Sequence, residues 1–228
     1  NRLLALDVFR GMTIAFMILV NTPGSWNSVY SPLLHAKWHG ATPTDMVFPF
    51  FLFIVGVSMF FSFSKYDQKL DSATSKKIII RVFMIFLIGL TLNYFPFFNR
   101  TIGNLRIMGV LQRIALAYGM GAFISLSFAN KNLWKVGLLM LLGYWLVMQL
   151  FGGPDPFSLE GNFAKSIDLV ILGEQHVYKG FGIPFDPEGL FSSLPAAVTV
   201  IFGYLIGLQI KESTDKNAIV KNLLVIGV

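Results

Sequence analysis

The sequence holds no cysteine, which excludes disulfides and any metal site built on thiolates. It is also short of charge. Asp, Glu, Lys and Arg make up 13% of its 228 residues, about half the share usual in a soluble domain. Acids are the scarcer sign, 12 against 18 Lys and Arg, and there are three His. A soluble globule of this length needs more polar surface than that. An ordinary cytosolic enzyme, a disordered tail and a fibrous repeat are therefore excluded. Apolar residues fill the gap: 54% of the chain is hydrophobic, 23 residues are Phe, and the mean hydropathy is +0.65. The composition is that of an integral membrane protein, with the lipid bilayer as its first partner. The basic excess then belongs to cytoplasmic loops, and no nucleic acid is expected. The chain begins at Asn1 and stops within an apolar run, so it reads as a piece of a longer protein.

A helix needs some 20 apolar residues to cross the hydrocarbon. Six stretches suit, at 6–21, 45–64, 77–94, 105–128, 133–151 and 189–210, and a seventh starts near Asn222. The fold class is all-α, a polytopic transmembrane helix bundle of about six spans plus the start of another. No small-residue cleavage site follows the first stretch, so it reads as a span and not as a signal peptide. Lys65, Lys69, Lys76 and Lys77 fill one loop, with Arg81 just beyond. Lys131 and Lys135 fill the next loop on that side, and Lys211, Lys216 and Lys221 the last. Arg2 and Arg10 precede or open the first span. The other loops carry only Lys37, then Arg100, then Lys165 and Lys179 among acids. This bias puts the N-terminus in the cytoplasm and loops 22–44, 95–104 and 152–188 outside. The third is long and rich in Gly and Pro, the kind of loop that often carries function.

Ionisable groups inside lipid need a reason. At 100° per residue, Asp7, Arg10 and Asn21 share one face of the first span, with Arg10 and Asn21 about 16 Å apart. A structural ion pair with a snorkelling arginine accounts for Asp7 and Arg10 equally well. Arg106 and Arg113 share a face of the fourth span. Arg106 can snorkel to the outer surface. Arg113 needs a carboxylate such as Asp7 or Asp45, backbone carbonyls, water or an anionic ligand. The first outer loop holds two of the three histidines, His35 and His39, just before Asp45. Histidine exchanges protons near neutral pH. Asp45 is placed to orient an imidazole, and Thr44 to cap the same helix. The His-x3-His spacing is half a zinc site, but nothing completes it, so no metal is expected. Trp26 and Trp38 read as interfacial anchors.

Several blocks then carry a resemblance. They are Leu6-Asp7-Val8-Phe9-Arg10-Gly11, Val20-Asn21, His35-Ala36-Lys37-Trp38-His39-Gly40 and Asp45-Met46-Val47-Phe48-Pro49-Phe50. Further along come the run from Leu105 to Arg113, Leu172-Gly173-Glu174-Gln175-His176, and Phe185-Asp186-Pro187-Glu188-Gly189. In this order they resemble the heparan-α-glucosaminide N-acetyltransferase family. The lack of a large region ahead of them suggests a bacterial relative, in the inner membrane. The resemblance implies a single transmembrane acyltransferase-like domain over 1–228, truncated at its C-terminus. It implies acetyl-CoA as donor, an amino sugar as acceptor and a homodimer as an open option. It puts the active histidine on His35 and the active-site asparagine on Asn21, with a swapped role open to His39.

The residues fit such chemistry. His35 can deprotonate the acceptor ammonium or carry the acetyl group, Asn21 can donate to an oxyanion, and Asp45 can hold the tautomer. Arg10 suits the anionic donor at the cytoplasmic mouth, and Arg113 the same passage. Asp186, Glu188 and His39 are candidates for the sugar, although Asp186-Pro187-Glu188-Gly189 also makes a good turn. The rival reading is a transporter of glucosamine or N-acetylglucosamine, which should have helices broken near the midplane. Pro195 lends it some support.

Overall fold

The computed structural model describes residues 3–64, 69–97, 101–180, 182–213 and 216–227. Among them lie eight α-helices and no strand: α1 Leu4–Asn21, α2 Pro43–Phe63, α3 Ser72–Tyr94, α4 Val110–Ser127, α5 Asn130–Phe151, α6 Phe163–Leu172, α7 Ser193–Glu212 and α8 Lys216–Gly227. Arg2, Lys65 and Arg100, which enter the charge pattern, lie outside the described residues, as does the side chain of Lys216. Helix is the state these runs must take in lipid, where every backbone N–H and C=O has to be satisfied within its own segment. Five helices are long and apolar enough to cross a membrane: α1, α2, α4, α5 and α7. α3 covers the expected span 77–94 and adds a polar first turn, in which the Asp71 side chain accepts from Thr74 N at 2.7 Å.

Two helix starts that differ from expectation and one added helix have local reasons. α4 starts at Val110, after the N-cap Gly109, so Arg106 stands in the link before the helix and not within it. α7 starts at Ser193, which puts Pro195 in the first turn. There its missing N–H is one the helix leaves unpaired anyway, so no break at depth results. α6 is an addition inside the long loop. Its N-cap Asn162 accepts from Ala164 N at 2.9 Å, and it ends at Gly173, whose φ of +83° suits only glycine.

The core lies between α2 and α7, which make the most extensive contact. They approach so closely because glycines face the partner. A Cβ at Gly203 would lie 2.2 Å from the Phe53 carbonyl oxygen, and one at Gly56 2.1 Å from that of Val200. Around this crossing pack Leu52, Phe60, Val200, Ile201 and Tyr204, all buried. α4 fits between α3 and α7, and α5 covers α7 from outside. α1 makes its main helix contact with α2 and stays peripheral: 11% of its span is buried, against 50% for α4 and α7. Its exposed Leu4, Val8, Met12 and Ile18 are side chains suited to lipid.

The links 22–42, 95–109 and 152–192 meet at one end of the bundle. Ile107 N donates to His176 O at 3.0 Å, and Trp38 Nε1 to Phe157 O at 2.7 Å. These are the loops that the charge pattern assigns to one side.

Candidate functional site

His35 is set by the start of α2. Thr42 caps that helix, Pro43 fills its first position, and Asp45 completes a capping box. Asp45 Oδ2 accepts from Thr42 N at 2.8 Å, Thr42 Oγ1 at 2.9 Å and Ala36 N at 3.2 Å. Its Oδ1 faces His35 Nδ1 at 2.6 Å. A carboxylate can only accept, so Nδ1 donates and Nε2 keeps its lone pair. The turn between them passes through Gly40, whose φ is +111°. Thr44 is buried and donates to Pro32 O at 3.4 Å. It is not the cap; Thr42 is, because the chain turns helical two residues earlier than expected.

A cavity of about 410 Å³ opens beside this pair. Its apolar wall comes from α1, α2 and α4, through residues such as Met17, Phe48, Phe51 and Ile114. Its polar groups are Thr13, Asn21, His35, Thr44, Asp45 and Glu188. Asn21 Nδ2 donates to Met17 O at 2.9 Å, which uses one of its two amide hydrogens. A few convergent polar groups on an apolar wall are the usual make-up of a small-molecule site. The volume is at the low end for such sites. It suits a thioester terminus with part of its arm or a sugar ring, not a whole nucleotide-bearing donor. Among the described residues no three His, Asp or Glu side chains converge as metal ligands.

Glu188 is held there by a buried charge cluster. Arg106 Nε and Nη2 grip Asp186 at 2.9 and 2.6 Å, and Nη2 also pairs with Glu188. Asp186 has no exposed side-chain surface and takes two further bonds, from Tyr178 N and Glu188 N. Burial alone would lower the Arg106 pKa, but the hydrogen bonds and charges of Asp186 and Glu188 outweigh it and hold it above its ordinary value. Arg113 reaches the same segment, donating to Pro187 O at 2.6 Å and Ser192 O at 3.1 Å. From α6, Asp168 accepts from Phe191 N at 3.2 Å. Burial pushes its carboxyl up to about 6, with the Phe191 and Leu190 N–H groups opposing. Asp168 sits so tightly on Gly189 that any Cβ there would clash with it.

The structure thus brings His35, Asn21, Asp45 and Glu188 to one cavity and leaves other candidates elsewhere. Asp186 is buried as a staple, so it cannot receive a sugar amine. Arg113 finds backbone carbonyls as partners, not Asp7 or Asp45, because α4 points it at the 187–192 turn. His39 lies edge-on to Trp38 outside the cavity lining. Trp38 itself is a loop clamp, packed edge-on against Phe185 at 5.2 Å. Arg10 stands toward the far end of α1, 3.4 Å from Asp7 and bonded to Ser58 Oγ at 2.8 Å. Asp168 and the Arg106 clamp had no assigned role in the sequence reading. The clamp left a weaker trace: Arg106 reads as snorkelling at the outer end of the fourth span, and Asp186 and Glu188 fall in or at the end of the long outer loop, which puts all three on one side.

Comparisons with known proteins show the family. The profile of the family described as "Heparan-alpha-glucosaminide N-acetyltransferase, catalytic" matches residues 2–226. The heparan-alpha-glucosaminide N-acetyltransferase of Homo sapiens is 30% identical, over 90% of this chain and 38% of its own length. That of Mus musculus is 28% identical, over 91% of this chain and 39% of its own. The chain therefore spans less than half the length of these relatives, and the 2–226 range matched by the family profile includes the cavity, the dyad and the clamp. It belongs to the heparan-alpha-glucosaminide N-acetyltransferase catalytic family.

Proposed function

We propose that this chain carries the catalytic site of a transmembrane N-acetyltransferase, with acetyl-CoA as donor and the amine of a glucosamine-containing sugar as acceptor. The donor is taken from the cytoplasmic face and the sugar from the outer, periplasmic face of a bacterial inner membrane. The observation that carries the reading is the His35–Asp45 pair opening onto a cavity shared with Asn21 and Glu188.

The residues present fit the donor. An apolar wall suits the pantetheine arm, and Asn21 and His35 supply the polar end. When bound, acetyl-CoA supplies an acetyl group activated as a thioester. Asp45 fixes the His35 tautomer, so that Nε2 takes the proton that the acceptor nitrogen sheds as its bond to the acetyl carbon forms, and returns it to the thiolate released when the C–S bond breaks. The free Asn21 amide hydrogen is placed to stabilise charge on a carbonyl oxygen. Glu188, on the acceptor side, attracts the ammonium form of the sugar. Arg106 and Arg113 act through the turn that holds Glu188, a role in positioning and not in donor binding. Arg10 stands where the donor's phosphates would lie.

The test is acetyl transfer to glucosamine by the purified protein. His35→Ala is expected to lower turnover by roughly 10²–10⁴-fold. Wild-type turnover in that variant would remove His35 from the reaction. The transporter reading loses its structural support, since Pro195 breaks no span.

A further inference from the structure

The His35 cavity is too small for the whole donor, and a second cavity lies at the other end of α2. It has a volume of about 300 Å³ and lies among α1, α2, α3 and α4. Its polar lining is Arg10, Ser58, Arg81 and Tyr118. Phe51 borders both cavities, so they abut at its ring. Asp45 and Ser58 share one helix, whose rise separates them by about 20 Å.

Among the described residues that line this cavity, two are cationic and none is acidic. Arg10 bonds Ser58 Oγ at 2.8 Å and meets Asp7 only at 3.4 Å, leaving most of its five donors unused. The Arg81 guanidinium lies over the Tyr118 ring at 4.8 Å. Among the described residues no carboxylate is in ion-pair range of Arg81. Two guanidiniums thus face one small cavity whose described lining holds no acid. Arg81 is exposed and the Arg10 side chain keeps 41% of its surface, so both guanidiniums are open to an anion arriving from that end of the bundle. Arginine forks match phosphate oxygens two at a time, and a hydroxyl beside each adds a further donor.

We infer that Arg10 and Arg81, with Ser58 and Tyr118, form a phosphate-binding pocket that holds the nucleotide end of the donor. The inference rests on the acetyl-transfer reading and deepens it. Phosphates here and a thioester beside His35 require a ligand that bridges about 20 Å, the order of an extended pantetheine arm. Arg81 becomes a binding residue that charge counting assigns only to a cytoplasmic loop.

The test is titration of the purified protein in detergent with adenosine 3′,5′-bisphosphate, which carries phosphates and no thioester. Arg81→Gln and Arg10→Gln are each expected to weaken binding roughly tenfold to hundredfold. Arg81→Lys, which keeps the charge, is expected to fall between. In turnover, Arg81→Gln is expected to raise KM for acetyl-CoA and to leave KM for S-acetylpantetheine unchanged; a merely structural role would move both. Equal bisphosphate affinity in wild type and Arg81→Gln would overturn the pocket. So would mass spectrometry showing an anionic lipid held by Arg81 while the bisphosphate does not bind. Arg81-dependent bisphosphate binding by a protein that transfers no acetyl would keep the pocket and sink the acyltransfer reading instead.

Discussion

His35 and Asp45 are ten positions apart, and a single carboxylate joins them. One oxygen of Asp45 caps a helix and the other aims an imidazole. Asp45→Asn is therefore expected to do two things. It should lower kcat by roughly 10²–10⁴-fold, because an amide can present a donor to Nδ1 and favour the wrong tautomer. It should cost only about 1 kcal/mol in stability, since asparagine replaces just one arm of the capping box. Turnover and thermal unfolding of the same preparation separate the two effects. Asp168 gives a pH prediction of opposite character. Its folded pKa, about 6, is above the ordinary 3.8, so the folded state favours the protonated acid. That contribution is complete below pH 3.8 and is lost as pH rises through about 6. Asp168→Asn is expected to flatten the fall of Tm between those values, measured by thermal scans across pH. The two acids also show what sequence can reveal. Asp45 was legible because its partner and its helix start are local. Asp168 was not, because its burial depends on a turn that arrives 21 residues later, at Gly189.

Among the elements, the α2–α7 crossing is the joint that shapes the bundle. Gly203→Ala would put a methyl against the Phe53 carbonyl, which is backbone and cannot swing away. A loss of about 1–3 kcal/mol is expected, read as a lower Tm in detergent. Gly143→Ala on α5 meets nothing within 4 Å and should be neutral or slightly stabilising. The link before α4 is the other joint. Arg106→Gln leaves the fully buried Asp186 without its cation, and a loss of about 3–5 kcal/mol is expected. Adding Asp186→Asn should recover part of it, a non-additivity that independent sites would not show. The spans themselves were readable, because lipid forces any apolar run of 20 residues into helix. Their starts were less so. Arg106 and Val110 fall in one apolar run, and only the Arg106–Asp186 pair, formed across 80 positions, shows why the helix waits for Gly109.

For the whole molecule the decisive property is polarity along the bundle. The His35 dyad, Glu188 and the three meeting loops gather at one end, and Arg10 and Arg81 stand toward the other. Acetyl transfer across a bilayer works only if the first end faces the acceptor and the second faces the cytosol. Reversed, the same protein would present its arginines to a compartment without the donor. Residues 1–228 hold no cysteine, so each thiol introduced there is the single one along this stretch and labelling it reads the orientation directly. Lys37 and Lys179 are exposed at the dyad end, and Lys76 and Lys131 are exposed at the arginine end. Single cysteines at 37 and 179 are expected to react with an impermeant maleimide on intact cells. Those at 76 and 131 are expected to react only after permeabilisation. The reverse pattern would leave the dyad chemistry possible but strand it on the donor's side, where no transmembrane transfer is needed. Labelling of all four from outside would deny that the bundle separates its two ends at all, and with that the reason for a phosphate pocket and an imidazole to lie about 20 Å apart.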